Sequence, residues 1–307
     1  MKKIKIFSPG TIANLSCGFD VIGCCLDTIG DEMTITIEPG TGVFITKIEG
    51  ADLPKEAHLN VAGVAVQALL DELDQDIQVT ITILKNIKAG SGIGSSAASS
   101  AGAVWAVNEL LNKPFAPHDL IRFAMQGEKL ASGNAHADNV APALLGGFTL
   151  IRSYTPLDIV KLPYPEDLMA IVVHPQIEVK TSDARAVLKQ NVTLTDAITQ
   201  WGNVGGLVAG LCLNDYQLIG RSLEDVIIEP LRSILIPKFE QVKKAALAQG
   251  ALGCGISGSG PSIFALSQGI ETANEVAKAM HEVYKNAEID FDIYISNINS
   301  TGIRRID

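Results

Sequence analysis

No Gly-Lys pair occurs anywhere in the chain. That absence excludes the Walker A loop, whose lysine follows its last glycine and reaches the phosphates. The five cysteines (Cys17, Cys24, Cys25, Cys212 and Cys254) are odd in number and show no Cys-x-x-Cys spacing. Neither a zinc site nor a disulfide framework is expected, and reduced thiols in a cytoplasmic protein are. Positive charge is scarce: 24 Lys and Arg stand against 34 Asp and Glu, for a formal net charge of −10. Nucleic acid is therefore not an expected partner. Long apolar runs are missing as well. Lys2, Lys3, Ile4, Lys5, Ile6 and Phe7 open the chain, but Pro9 and Gly10 end that run short of a signal-peptide core. No stretch is long enough to span a bilayer, so no membrane partner is expected.

What remains is a folded chain of 307 residues, 47% hydrophobic and 19% charged. That length favours two domains over one core. Pro156, Pro163 and Pro165 crowd residues 153–166 and place the break there, giving expected domains over 1–155 and 156–307. Period-two apolar patterns predict strands over 3–7, 33–38, 43–48, 77–84, 148–152, 168–173, 262–266 and 291–296. Helical spacing predicts helices over 60–73, 101–111, 117–131, 182–189, 194–213, 215–220, 237–249 and 271–286. Residues 8–30 and 251–260, rich in glycine and small polar residues, read as loops. The early strands cluster as a meander, so the class is α+β with mixed sheets and not a doubly wound parallel sheet.

The most informative stretch is 89–100, Ala-Gly-Ser-Gly-Ile-Gly-Ser-Ser-Ala-Ala-Ser-Ser, between a strand and a helix. A glycine turn opening a helix presents unpaired N–H groups and the positive end of the helix dipole, a site suited to phosphate. Gly92, Gly94 and Ala97 fit a dinucleotide fingerprint by spacing, as do Gly253, Gly255 and Gly258. Both fail on context. Lys85-Asn86-Ile87-Lys88 separates the first from its strand, and the second opens a strand instead of a helix. A lysine-free phosphate loop is left.

Gly92-Ile93-Gly94-Ser95-Ser96-Ala97-Ala98 resembles the central motif of the GHMP small-molecule kinases. The segment Ser-Pro-Gly-Thr-Ile-Ala-Asn-Leu-Ser-Cys-Gly-Phe-Asp-Val at 8–21 resembles that family's first motif, in the form its homoserine-phosphorylating members carry. Gly-Cys-Gly-Ile-Ser-Gly-Ser-Gly-Pro-Ser at 253–262 resembles the third. Lys88 departs from the family, which commonly has proline there, and Leu188-Lys189 stands where Leu-Pro is frequent.

The resemblance implies a two-domain GHMP kinase fold. Its N-terminal domain would be like ribosomal protein S5 domain 2, its C-terminal domain ferredoxin-like, and the substrate would lie in the cleft between them. It implies ATP and Mg²⁺, with L-homoserine as the alcohol and a homodimer as the assembly. The alternatives are another GHMP kinase, acting on mevalonate or a sugar, or a non-catalytic ligand-binding protein of the same fold.

Phosphoryl transfer asks mainly for positioning and charge neutralisation. Without a lysine, the backbone of Gly90, Ser91, Gly92, Ile93, Gly94, Ser95, Ser96 and Ala97 would cradle the phosphates. By resemblance Ser96 and Glu128 are the metal ligands, and Thr181 approaches phosphate or metal. Asn60 and Lys85 are adenine candidates, each equally readable as a helix cap or a solvated lysine. The polar run Gly133-Asn134-Ala135-His136-Ala137-Asp138-Asn139 matches the family's substrate segment. Where related kinases place a basic aspartate this chain has Asn139, so Asn139 would orient the hydroxyl, with Asp138 the rival base. Asn14 and Asp20 suit an ammonium group. Arg185 and Arg232 suit a carboxylate, which a guanidinium can hold with two parallel bonds.

Overall fold

Alternating apolar residues drive the first half into strands, as expected, but the strands are longer than the pattern suggests. In the computed structural model, which describes every residue except Asp74, Glu178, Lys180 and Asn286 and every side chain except those four and Thr181, Ser182 and Asp183, β1 spans Lys2–Ala13 and β2 Ile22–Pro39. They pair antiparallel along almost their whole length, with a register shift between Pro9 and Thr11. Most of the stretch 8–30 is therefore strand. Its glycines mislead because they serve close packing, not turning: a Cβ on Gly23 would lie 1.8 Å from the Asp138 carbonyl oxygen.

β3 (Gly42–Glu49), α1 (Val61–Leu70) and β4 (Ile77–Leu84) form a crossover that brings β3 parallel to β4. α2 (Ser95–Leu110), α3 (Pro117–Ser132) and α4 (Val140–Leu145) follow, then β5 (Phe148–Tyr154) and β6 (Leu157–Leu162). α2 begins at Ser95, six residues before the expected start. The serines that read as loop bond back to the preceding turn, Ser100 Oγ to the Ser96 carbonyl at 3.0 Å and Ser99 Oγ to that of Ser95 at 3.3 Å. The second half runs β7 (Leu168–Pro175), α5 (Thr181–Ala186), α6 (Leu194–Leu213), α7 (Tyr216–Ser222), α8 (Glu229–Arg232), α9 (Phe239–Ala248), β8 (Gly253–Ile256), β9 (Ile263–Gln268), α10 (Gly269–Lys285), β10 (Phe291–Asn297) and β11 (Arg304–Arg305). Residues 253–256 of the expected second glycine loop are thus strand β8, and the turn between β8 and β9 follows Ile256.

The first sheet has the order β11-β1-β2-β4-β3, with β5 on β2 and β6 on β5. The second, β10-β7-β9-β8, is antiparallel throughout, the strand order of a ferredoxin-like β-α-β-β-α-β unit. The first sheet runs past residue 155, because β6 belongs to it, and the chain returns to it at β11. The change of sheet falls between Leu162 and Leu168, at the far end of the proline-rich stretch.

One core lies between the first sheet and α1–α4, around Ile35, Ile81, Val104 and Ile121. Another lies under α9 and α10, around Phe239, Val276 and Met280. A third joins the halves: Ile12, Leu15, Ile22 and Phe148 pack with Leu207, Leu211, Phe264 and Leu266. Among the described residues no helix is long and apolar enough to cross a membrane.

Candidate active site

The cleft is organised by the N-terminus of α2. Gly94 caps the helix in the left-handed region, at φ 67°, and a Cβ there would meet Thr11 Oγ1 at 2.1 Å. The N–H groups of Ser95, Ser96 and Ala97 have no carbonyl behind them and face an anion site. Below this turn lies a buried ion pair. Lys85 bonds to Asp31, to the Ser95 carbonyl at 2.9 Å and to Ser99 Oγ at 3.0 Å. Asp31 also accepts the N–H groups of Asn86 (2.8 Å) and Ile87 (3.0 Å), the residues that lead into the loop.

These contacts correct the adenine expectation. All three ammonium protons of Lys85 are used, so it braces the phosphate loop instead of meeting a base. Asn60 is a helix cap: its Oδ1 accepts the Ala62 N–H at 3.0 Å and its Nδ2 donates to the Pro54 carbonyl at 2.7 Å. Ile93 and Ala97 turn their side chains into the cores and offer the cleft only backbone.

The two glycine loops lie back to back. Ser257 Oγ donates to the Gly92 carbonyl at 2.7 Å, and a Cβ on Gly92 would sit 2.5 Å from the Ser257 carbonyl oxygen. Asn14 ties the first motif to the third. Its Nδ2 donates to the Gly258 carbonyl at 2.8 Å, and its Oδ1 accepts the Asp20 N–H at 3.0 Å. Asn14, expected to hold an ammonium group, therefore spends its amide on shaping the site. Asn14, Leu15 and Ser16 are all left-handed, at φ 74°, 43° and 59°. Such a conformation costs about 1–2 kcal/mol per residue. The bonds of Asn14 and the burial of Leu15 hold this turn, which delivers Asp20 to the cleft.

Across the cleft from the helix terminus sits a charged cluster. One nitrogen of Arg185 bonds both oxygens of Asp20 at 3.0 Å and lies 2.7 Å from His136 Nε2. A guanidinium cannot accept, so Nε2 is the unprotonated nitrogen of a neutral ring. Burial agrees, holding His136 below the usual histidine range against the pull of Asp20. Arg232, almost fully buried, donates to the carbonyls of Ala184 (2.9 Å) and Gly258 (3.2 Å). The guanidiniums of Arg232 and Arg185 lie 4.9 and 5.6 Å from the ring centre of Phe19.

Two buried carboxyls complete the floor. Burial pushes Glu128 up to about 7, while a hydrogen bond from Ser96 and the charge of Lys85 pull the other way. Burial, then the charges of Asp20 and Glu128, push Asp138 up to about 8. Glu128 Oε1 and Asp138 Oδ1 are buried without a hydrogen-bond partner. Asn139 stands beside them, its Oδ1 accepting from Thr11 Oγ1 at 2.7 Å. The described residues contain no group of three or more His, Cys, Asp or Glu placed to hold a metal ion. Magnesium needs only one or two protein oxygens, and the Ser96 hydroxyl with the orphaned Glu128 oxygen fits that requirement.

Asp20, Gly90, Ser91, Gly92, Gly94, Ser95, Ser96, Glu128, His136, Asp138, Asn139, Arg185 and Arg232 thus line one cleft of about 690 Å³, within the range of small-molecule sites. The side chain of Thr181 lies outside the described residues. Sequence reasoning missed Phe19, Thr11 and Tyr154. The Tyr154 hydroxyl donates to the Asp20 carbonyl at 2.8 Å and accepts the Ala137 N–H at 3.3 Å, joining the two substrate segments. A tyrosine ending a strand carries no motif, and only the fold reveals it.

Residues 60–147 match the family model of the GHMP kinase N-terminal domain, and residues 207–286 that of the GHMP kinase C-terminal domain. The chain is 46% identical to a homoserine kinase of Chlorobium phaeovibrioides, over 99% of each chain. It is 38% identical to one of Methanococcus maripaludis, over 87% of this chain and 88% of that one. The crystal structure of homoserine kinase from Cytophaga hutchinsonii superposes with a TM-score of 0.96 at 51% identity, covering 100% of this chain and 98% of that one. Mevalonate kinase from L. major, at 19% identity and a TM-score of 0.70 over 96% of each chain, shares the fold. With both domain models matched in order and relatives aligned along its whole length, this chain belongs to the GHMP kinase family.

Proposed function

We propose that this protein is an ATP- and Mg²⁺-dependent homoserine kinase. It transfers the γ-phosphoryl group of ATP to the side-chain hydroxyl of L-homoserine, giving O-phospho-L-homoserine on the route to threonine. The observation that carries this reading is the Asp20–Arg185–His136 cluster opposite the α2 N-terminus, with Arg232 on Phe19 beside it. A zwitterionic amino acid brings its own ammonium and carboxylate, which can replace the Asp20–Arg185 pairing with one partner for each end. Mevalonate has no ammonium for Asp20, and a sugar has neither charge. The homoserine kinases aligned along the full chain support the same choice.

The residues divide the work. N–H groups of 91–97 take the triphosphate, and the Asp31–Lys85 pair fixes the turn that presents them. Ser96 and Glu128 would hold Mg²⁺, which when bound neutralises phosphate charge. Arg185 and Arg232 orient the carboxylate and Asp20 the ammonium, which points the hydroxyl at the α2 terminus. Asn139 holds that hydroxyl. Asp138, pushed up to about 8, holds its proton through much of the neutral range, and in this reading no side chain serves as base. The hydroxyl proton leaves late, to a phosphate oxygen, as the new O–P bond forms and ADP departs. Accordingly Asp138→Asn is expected to keep most of its kcat, while Asn139→Leu loses it; the reverse result would restore Asp138 as base.

A coupled ADP-release assay with homoserine, mevalonate, galactose and shikimate side by side tests the assignment. Turnover of homoserine above the other three is expected, and preference for a non-amino-acid would falsify it.

The protein works in the cytoplasm, with its pool of ATP, and as a homodimer. On α6, Leu194, Ile198 and Trp201 are 69%, 57% and 64% exposed at helical spacing. Asp196 is the only charged residue on that helix, in a chain of net charge −10 that elsewhere repels a second copy. The open faces of Gly202 and Gly205, where a Cβ would touch nothing within 4 Å, leave room for the indole of the second chain. Trp201→Glu is expected to halve the mass measured by light scattering; an unchanged mass would remove α6 from the interface.

A further inference from the structure

Thr11 lies on β1, fully buried and outside the set of residues that line the cleft. It nevertheless touches two of the segments that must be aligned for transfer. Its backbone N–H donates to the Ile93 carbonyl at 3.2 Å, inside the phosphate loop. Its hydroxyl donates to Asn139 Oδ1 at 2.7 Å. Gly94 is open to this contact only because it lacks a side chain, since a Cβ there would lie 2.1 Å from Thr11 Oγ1 and 3.0 Å from Asn139 Oδ1.

A carboxamide has an accepting end and a donating end, and whichever end is fixed decides what the other offers. A threonine hydroxyl can accept as well as donate, but that of buried Thr11 has no other acceptor among the described residues, so its proton is satisfied only with the Asn139 oxygen facing it. The NH₂ group, which has no hydrogen-bond partner among the described residues, is left on the side chain that lines the cleft. From this geometry we propose that Thr11 is a positioning residue for phosphoryl transfer. It sets the flip state of Asn139, so that the amide donates to the acceptor hydroxyl oxygen and does not accept its proton. One lone pair of that oxygen is then held by Asn139 and another is free to attack phosphorus, while the O–H proton points away from Asn139 toward phosphate. Because the same residue is bonded to Ile93, the amide is referenced to the triphosphate cradle itself.

This inference rests on the kinase reading, and the test separates the two. Thr11→Val keeps the shape and removes the hydroxyl; Thr11→Ser keeps the hydroxyl. Both are assayed with homoserine and ATP beside wild type, Asn139→Ala and Thr11→Val/Asn139→Ala, with melting temperatures recorded. Wild type without turnover on homoserine refutes the functional reading, whatever the variants do. Given wild-type turnover, Thr11→Val is expected to lower kcat about 10- to 100-fold, the scale of a misplaced reacting group. Both KM values should stay within about threefold, because neither substrate's charged groups contact Thr11. Thr11→Ser should recover most of the rate. The double variant should be no slower than Asn139→Ala, since the two residues act as one unit. Full activity in Thr11→Val, failure of Thr11→Ser to recover it, or multiplying losses in the double variant would each overturn the proposal.

Discussion

Glu128→Gln is expected to lower kcat about 10²- to 10³-fold, the usual cost of removing one fixed electrostatic partner of a transition state. The change is nearly isosteric, so the buried site on α3 stays filled and the fold should persist. What is lost is the negative charge of a carboxyl whose Oε1 has no hydrogen-bond partner. The pH dependence gives an independent readout. Burial pushes Glu128 up to about 7, and a carboxyl must lose its proton to hold a cation. Below pH 7 a proton therefore competes with Mg²⁺, and above it the competition fades. The concentration of Mg²⁺ giving half-maximal rate should fall as pH rises from about 6 to 8 in wild type. In Glu128→Gln that slope should shrink to the part contributed by ATP's own titration. Equal slopes in both proteins, or a kcat within threefold of wild type, would take Glu128 out of the metal site.

Arg185→Met should raise KM for homoserine about 10- to 150-fold while leaving KM for ATP near its wild-type value. A charged hydrogen bond is worth about 1.5–3 kcal/mol, and each 1.4 kcal/mol is tenfold in affinity. Arg185 is the better choice of the two arginines for this measurement. Its side chain is 30% exposed and pairs with Asp20, whereas Arg232 is buried and holds the Ala184 and Gly258 carbonyls, so its removal also loosens the loops. Arg185→Lys should rescue little, because a point charge cannot reproduce the planar fork. A rise in KM for ATP equal to that for homoserine would mean that Arg185 serves the phosphates.

The sequence made the site legible where chemistry demands a particular residue type in a particular order. Glycines 92 and 94, Ser96, Glu128, His136, Asp138, Asn139 and the two arginines line one cleft, although they come from both halves of the chain. It was illegible where a residue acts through its neighbours. Asn14 and Lys85 are polar residues near the right motifs, but their bonds go to Asp20, Gly258, Asp31 and Ser95. Thr11 and Tyr154 were missed for the converse reason: Thr11 sits inside the first motif with nothing to show which neighbour it serves, Tyr154 lies in no motif, and only the folded register brings them to Asn139 and Asp20. Secondary structure failed in the same way. Glycine in β2 and β8 signalled loop by composition, yet Gly23 and Gly253 are there because Asp138 and Leu223 occupy the space a Cβ would need.

The core formed jointly by the two sheets has a consequence for how the molecule responds to stress. Ile12, Leu15 and Phe148 on one side and Leu207, Leu211 and Phe264 on the other are fully buried against one another. Separating the sheets as rigid lobes would expose all of them to water, at about 1.5–3 kcal/mol for each large side chain. Hinge opening of that size is closed to this fold at ordinary temperatures. Access to the cleft then belongs to its rim and not to its walls, and heat should melt both halves together in one cooperative step.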